Sequence, residues 1–273
     1  MRNYTVIGGG GVKLRVVETG NPRGKPIIFI HGFSQCHLAW SKQLNSMLAQ
    51  EFRLVAMDLR GHGESDKPRD EYADSQAWAD DVYAVLEVLE LDKPVLTGWS
   101  YGGVVISDYV KHYGEQNIAG TNWVTAISRL GEPLLAAELL GANFLALIPG
   151  FFSSVVDESV AALEQLIRLC VVGELSAEER YLLLGFNLAV PPHVREALLS
   201  RNVDNDAVVS SMRKPILLTY GEEDAIVLPA MSDLMTGLAP RAKLSAYADA
   251  GHAPFWDAAD RFNRELQEFR RSV

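Results

Sequence analysis

The residues of this chain best suited to chemistry are Gly98-Trp99-Ser100-Tyr101-Gly102, a G-x-S-x-G match. An apolar run, Val95-Leu96-Thr97, precedes it, and a helical pattern starts near Tyr101. A serine on such a sharp strand-to-helix turn is held in a strained backbone conformation that lifts its hydroxyl out of the sheet. Small residues are required two before and two after it, because side chains there would collide with neighbouring backbone. The helix N-terminus beneath adds free N–H groups and a positive dipole end, which suits a developing oxyanion. A serine hydroxyl becomes a useful nucleophile only when a base takes its proton. The chain has six histidines to supply one. His252, in Ala250-Gly251-His252-Ala253-Pro254, follows the last strand pattern and so falls at the carboxyl edge of a sheet, where the sites of open α/β folds collect. His31 ends a strand at the same edge. His62 is expected to order its loop, Arg60-Gly61-His62-Gly63, and His37 is the rival base if it faces the pocket. His112 and His193 read as surface or packing residues. The base needs a carboxylate to hold its tautomer. Gly221-Glu222-Glu223-Asp224 follows a buried strand pattern, and Asp224 is preferred there. The glycine three before it marks a tight turn, and the short side chain holds an imidazole rigidly. Glu222 and Glu223 are expected to be solvated.

These residues need a scaffold that brings three distant loops together. Two β-type runs, 3–7 and 12–18, open the chain around Gly8-Gly9-Gly10-Gly11. Neither dinucleotide nor Walker spacing follows those glycines, so they read as a hairpin turn and not a phosphate loop. Short apolar runs at 26–30, 53–57, 94–97, 122–127 and 215–220, and a weaker one at 243–247, read as strands buried on both faces. Helical periodicity at 40–51, 75–89 and 101–113 separates several of them, and a last helix is expected at 257–270. This alternation predicts an α/β fold with parallel strands and helical crossovers on both faces. It fails between residues 128 and 213, which read as helices only, at 133–147, 154–169, 177–188 and 194–199. Turn signals at Pro149-Gly150, Gly173 and Pro191-Pro192 separate them. The expected division is a core of residues 1–127 and 214–273 with a helical cap of residues 128–213 inserted between two strands.

Of the 273 residues 48% are apolar and 22% charged, a globular composition that excludes a disordered chain. The formal charge of −10 argues against nucleic acid and anionic membrane surfaces as partners, because both select for clusters of Lys and Arg. A small-molecule substrate is the expected partner, and nothing in the sequence decides the oligomeric state. Cys36 and Cys170 read as isolated thiols of a reducing compartment, with Cys36 close enough to His31-Gly32 to line a site there. The most apolar long stretch, 134–156, is interrupted by Glu138, Asn143, Pro149 and Ser153. It therefore predicts no membrane span, and no signal-peptide pattern opens the chain, so a cytoplasmic setting is expected. No His/Cys/Asp/Glu cluster has ligand spacing, so no metal is expected, and no cofactor motif is present.

The order Ser100, Asp224, His252, together with these motifs, resembles the α/β-hydrolase superfamily in its capped serine-esterase and cofactor-free haloperoxidase-like branch. The resemblance covers nearly the whole chain and implies a mostly parallel sheet of eight strands. His31-Gly32-Phe33 resembles the family's loop after the third strand, which implies that Phe33 donates one oxyanion N–H and Tyr101 the other. Asp58-Leu59-Arg60-Gly61-His62-Gly63-Glu64-Ser65 resembles the structural loop after the fourth strand. Serine at the nucleophile position separates the chain from the haloalkane dehalogenase and epoxide hydrolase branches, which carry Asp there. The resemblance implies ester hydrolysis through an acyl-enzyme, on small to medium hydrophobic substrates if Phe33 and the apolar cap narrow the pocket. Perhydrolase, lactonase and C–C hydrolase chemistry fit the same three residues. Hydroxynitrile-type lyase chemistry and a hormone-receptor-like role with little turnover are alternatives on the same fold.

Overall fold

The computed structural model describes residues 1–135 and 138–273. Eight strands form one sheet: β1 Arg2–Ile7, β2 Lys13–Gly20, β3 Pro26–Ile30, β4 Arg53–Met57, β5 Val95–Trp99, β6 Gly120–Val124, β7 Ile216–Gly221 and β8 Lys243–Tyr247. Their spatial order is β1-β2-β4-β3-β5-β6-β7-β8. The β1–β2 and β2–β4 pairs are antiparallel, and every later pair is parallel. Every residue of β3, β5 and β6 is buried; the run expected as a strand at 122–127 is strand only to Val124, and β6 starts earlier, at Gly120. Because β5 lies between β3 and β6, Gly98 stands opposite Ile30 on one side and Trp123 on the other. The loops after β3, β5 and β6 therefore leave the sheet side by side.

Helix α1 (Ser75–Val88) starts where the Asp74 carboxylate accepts the N–H of Gln76, an N-cap that satisfies one free donor of the first turn. It packs along α2 (Tyr101–Tyr113), the helix that leaves β5. Between β6 and β7 lie α3 (Ala142–Phe152), α4 (Val156–Cys170), α5 (Ala177–Leu188) and α6 (Pro192–Leu199). Ser176 and Glu179 close a capping box at the start of α5. Arg195 of α6 is buried and ties this segment together. It donates to the carbonyls of Phe151 and Asn187 and to Ser159 Oγ, one group each on α3, α5 and α4. Burial lowers its guanidinium to about 10. Helices α7 (Ala230–Leu238) and α8 (Ala259–Ser272) complete the core. Among the described residues no helix is long and apolar enough to cross a membrane.

Several elements differ from the sequence expectation. The helix expected at 40–51 is two short pieces, Ser41–Leu44 and Leu48–Glu51. Ser46 breaks it: its hydroxyl donates to the Gln43 carbonyl and accepts from Leu48 N, displacing helical bonds. The helix expected at 133–147 is likewise interrupted. Residues Glu132–Leu135 are helical, residues 136–137 lie outside the described ones, and Leu140 forms a bridge to Val227 before α3 begins. Pro149-Gly150 is inside α3 and is not a turn. Gly150 sits where α3 meets α4, and a Cβ there would come within 2.6 Å of Ala162 Cβ. Sequence reasoning also missed α7, and it ended the last helix two residues early.

The loop after β4 is anchored by a fully buried ion pair. Arg60 Nε and Nη2 donate to the two oxygens of Asp81 on α1 at 2.7 and 2.8 Å. Asp81 also accepts the N–H of Gly9, and Arg60 donates to the Gly9 carbonyl. The glycine turn between β1 and β2 thus docks on α1 through the same pair. Replacing Asp81 by Ala leaves the Arg60 charge buried without its partner, a loss expected at about 3–5 kcal/mol. Chemical denaturation comparing Asp81→Ala with the parent measures it, and a change under about 1 kcal/mol would show that water reaches Arg60.

Candidate active site

Ser100 begins α2 with φ 54° and ψ −114°, the strained conformation expected of it. Its N–H donates to the Val124 carbonyl at 2.9 Å, and its own carbonyl accepts from Gly103 at 2.9 Å and Ile127 at 3.3 Å. Two glycines permit the turn. A Cβ at Gly98 would lie 2.7 Å from the Gly102 carbonyl, and one at Gly102 would lie 2.6 Å from the Ile30 carbonyl. These approaches explain why small residues stand two before and two after the serine.

His252 and Asp224 are brought together from the loops after β8 and β7. His252 Nδ1 lies 2.8 Å from Asp224 Oδ2, and both side chains are buried. The other carboxylate oxygen, Oδ1, accepts from Ile226 N at 2.8 Å and Val227 N at 3.0 Å, so the acid cannot rotate away. Gly221 allows the two loops to meet: a Cβ there would stand 2.2 Å from the carbonyls of Ala250 and Gly251. Glu222 and Glu223 are exposed, as expected. Ser100 and His252 share the wall of one small cavity with Gly32, Phe33, Trp99 and Phe144. Ser100 Oγ makes no hydrogen bond to a described protein group, so its proton is free for an acceptor in the cavity. A different small cavity backs onto Asp224 between Trp123 and Met231, and neither Ser100 nor His252 lines it.

The model of the alpha/beta hydrolase fold family matches residues 25–259. The chain belongs to the α/β-hydrolase family. Among solved structures it is similar to an esterase from a Rhodococcus species, with 32% identity over 100% of both chains and a TM-score of 0.94. It is also similar to a Burkholderia cenocepacia protein proposed to be an aryl esterase, at 37% identity over 99% of this chain and 98% of that one, with a TM-score of 0.90. A bifunctional esterase/perhydrolase from Acinetobacter calcoaceticus is 26% identical over 92% of this chain and 94% of its own.

Other predicted groups of this α/β hydrolase fall as follows. Phe33 lines the cavity, and its ring lies 5.5 Å from that of Phe151. Among the described residues neither Phe33 N–H nor Tyr101 N–H donates to a protein acceptor. The Tyr101 ring does not line the cavity: it packs against Trp78, and its hydroxyl accepts from Arg201, which also pairs with Asp108 at 2.7 Å. Arg201 follows α6 and so ties the inserted segment to α2. Nothing in the sequence around it signalled this contact. Cys36 does not line the cavity, since its sulfur accepts from Leu38 N in the turn above Trp40. Cys170, at the end of α4, lines it instead.

His37 does not face the cavity. Its Nδ1 and its backbone N–H both meet Asp58 Oδ1, at 2.8 and 2.7 Å. This corrects one expectation, because Cys36, His37 and Asp58 form a buried group with ligand-type atoms within 4.8 Å of one another. The spacing hid it: β3 and β4 are parallel neighbours, and their following loops converge only in the fold. Both Asp58 oxygens are already bonded, Oδ1 by His37 and Oδ2 by Glu64 N at 2.8 Å, so the group serves as a loop tie.

His31 and His62 are fully buried with ring centroids 4.9 Å apart. Leu59 N donates to His31 Nε2, which places the proton on Nδ1, donated to the Gly32 carbonyl at 2.8 Å. His31 therefore holds the backbone next to Phe33 and is not free to act as a base. Burial lowers its pKa from 6.5 to about 4 and that of His62 to about 3. Both stay neutral in the fold while the unfolded chain takes up protons below pH 6.5. Stability is full above that pH and falls as pH drops toward 4, by up to about 1.4 kcal/mol per unit for each histidine. Thermal unfolding between pH 7 and 4 checks this. His62→Gln is expected to flatten the decline, and an equally steep curve in that variant would place the acid sensitivity elsewhere.

Proposed function

We propose that this hydrolase cleaves carboxylic esters of small to medium hydrophobic substrates through an acyl-enzyme on Ser100. The observation that carries the reading is the His252–Asp224 hydrogen bond at the wall of the Ser100 cavity. With the Nδ1 proton held by the carboxylate, the imidazole lone pair sits on Nε2 and is free to accept the Ser100 proton. Ser100 Oγ attacks the ester carbonyl as that proton moves to Nε2. The Phe33 and Tyr101 N–H groups receive the oxyanion. His252 returns the proton to the leaving alkoxide, and water activated by the same nitrogen then hydrolyses the acyl-enzyme. The Asp224 carboxylate stabilises the imidazolium that forms on His252.

The cavity walls support the substrate class. Phe33, Phe144, Leu166 and Ile226 are apolar and Gln35 is polar. A second small cavity shares Gln35, Trp99 and Cys170 with the first and is otherwise lined by residues such as Ile167, Leu183, Phe255 and Trp256. Residues of α3, α4 and α5 line these spaces, so the helices between β6 and β7 act as a cap over the nucleophile. The likeness to an esterase/perhydrolase favours one second reading, attack of hydrogen peroxide on the same acyl-enzyme to give a peracid.

Two measurements test the proposal. Purified protein is expected to hydrolyse p-nitrophenyl esters with a chain-length optimum, and Ser100→Ala to abolish turnover. Absence of turnover above that variant would move the weight to a ligand-binding role or to lyase chemistry. Among the acids, Asp224→Asn is expected to lower kcat about 10⁴-fold, while Glu222→Gln leaves it unchanged. The reverse pattern would overturn the assignment of Asp224.

A further inference from the structure

Thr125 follows the last residue of β6 and has φ 43°, a left-handed conformation that a β-branched residue rarely adopts. Such strain persists only where surrounding bonds over-determine it, and it clusters at functional sites. Two bonds hold this residue. Its N–H donates to the Thr219 carbonyl of β7 at 2.7 Å, and its hydroxyl donates to the main-chain carbonyl of His252 at 2.7 Å. That same carbonyl accepts the indole N–H of Trp99, the residue before the nucleophile, also at 2.7 Å. The two donors stand at the ends of neighbouring strands beside the serine turn: Trp99 is the last residue of β5, and Thr125 directly follows β6. The imidazole is fixed at its far side by Asp224 and its main chain by this pair.

We propose that Thr125 is a positioning residue, whose hydroxyl, together with the Trp99 indole, fixes the main chain of His252 relative to Ser100. The proposal rests on the reading of His252 as the base. Asp224 alone sets the tautomer and one ring direction, but the imidazole can still swing about that hydrogen bond if its backbone shifts. A displacement of about 1 Å at a reacting group is enough to cost a large factor in rate. The left-handed turn at Thr125 aims the hydroxyl at the His252 loop while the backbone remains bonded to β7.

Kinetics on p-nitrophenyl acetate with four variants tests this. Thr125→Val keeps the shape and loses the hydroxyl. It is expected to lower kcat about 10-fold or more, roughly 1.4 kcal/mol, with KM within about twofold. Thr125→Ser retains the hydroxyl and is expected to stay within about twofold of the parent in both constants. Thr125→Gly relieves the backbone strain and lacks the hydroxyl, so it folds even if the valine variant does not, and it is expected to show the same loss of kcat. Proton NMR reads the geometry directly: the downfield signal of the His252 Nδ1 proton is expected to shift or broaden in the Val and Gly variants and to return in Ser. Parent-like kcat and an unchanged signal in Thr125→Gly would overturn the proposal. So would an equal loss in Thr125→Ser, which would assign the effect to packing. His252→Ala is the fourth variant. If it keeps parent activity, the reading of His252 as base fails, whatever Thr125 does.

Discussion

The rest of this molecule depends on one strained residue, Ser100, held at φ 54° between β5 and α2. The conformation raises a hydroxyl above the sheet, and it survives because the turn is bonded on three sides, to Val124, Gly103 and Ile127. Those bonds exist only if β5 is flanked by β6 and if α2 can lie close to β3. The close approach in turn requires hydrogen in place of a side chain at Gly102, where 2.6 Å separates the position of a Cβ from the Ile30 carbonyl. A local strain of about 1–3 kcal/mol is thus offset by the packing of the central sheet.

Around that turn the site is assembled from main-chain contacts as much as from side chains. The acid loop and the histidine loop touch at Gly221, where backbone meets backbone. The carbonyl of His252 is taken up by Trp99 and Thr125. Asp257 receives the N–H groups of Gly251 and Val172, so the histidine loop is joined to the end of α4 as well. Burial makes these contacts count, because hydrogen bonds and charges removed from water interact more strongly than exposed ones. His31 shows the converse. It is kept neutral by burial and spent on the Gly32 carbonyl and the Leu59 N–H, which orders the loop that carries Phe33.

The helices between β6 and β7 meet the core through a few buried polar ties, and apolar side chains fill the spaces between. Arg195 gathers the helices to each other and Arg201 fastens the segment to Asp108 and Tyr101 of α2. Both are buried cations bonded to fixed acceptors, so breaking either contact would strand a charge or several carbonyls away from water. The cavity that results is walled by core residues on one side and by Phe144, Leu166 and Cys170 on the other. The cavity beside Ser100 is therefore a surface whose two halves come from different parts of the chain.

By itself the sequence determined the α/β architecture, and its motifs single out Ser100, Asp224 and His252 as the candidate site. Fully buried parallel strands need unbroken apolar runs, and a strained serine turn needs its glycines, so both leave local patterns that can be read residue by residue. Only the tertiary structure decided the rest. Thr125 read as one more β-branched strand residue, because its role comes from a positive φ and from a carbonyl 127 positions away. Cys36, His37 and Asp58 read as unrelated, because their proximity follows from β3 lying beside β4. Pro149-Gly150 read as a turn, and α3 runs through it because contact with Ala162 of α4 rewards the absence of a side chain at Gly150. In each case the deciding contact joins elements far apart in the chain, and local propensity carries no record of such a contact.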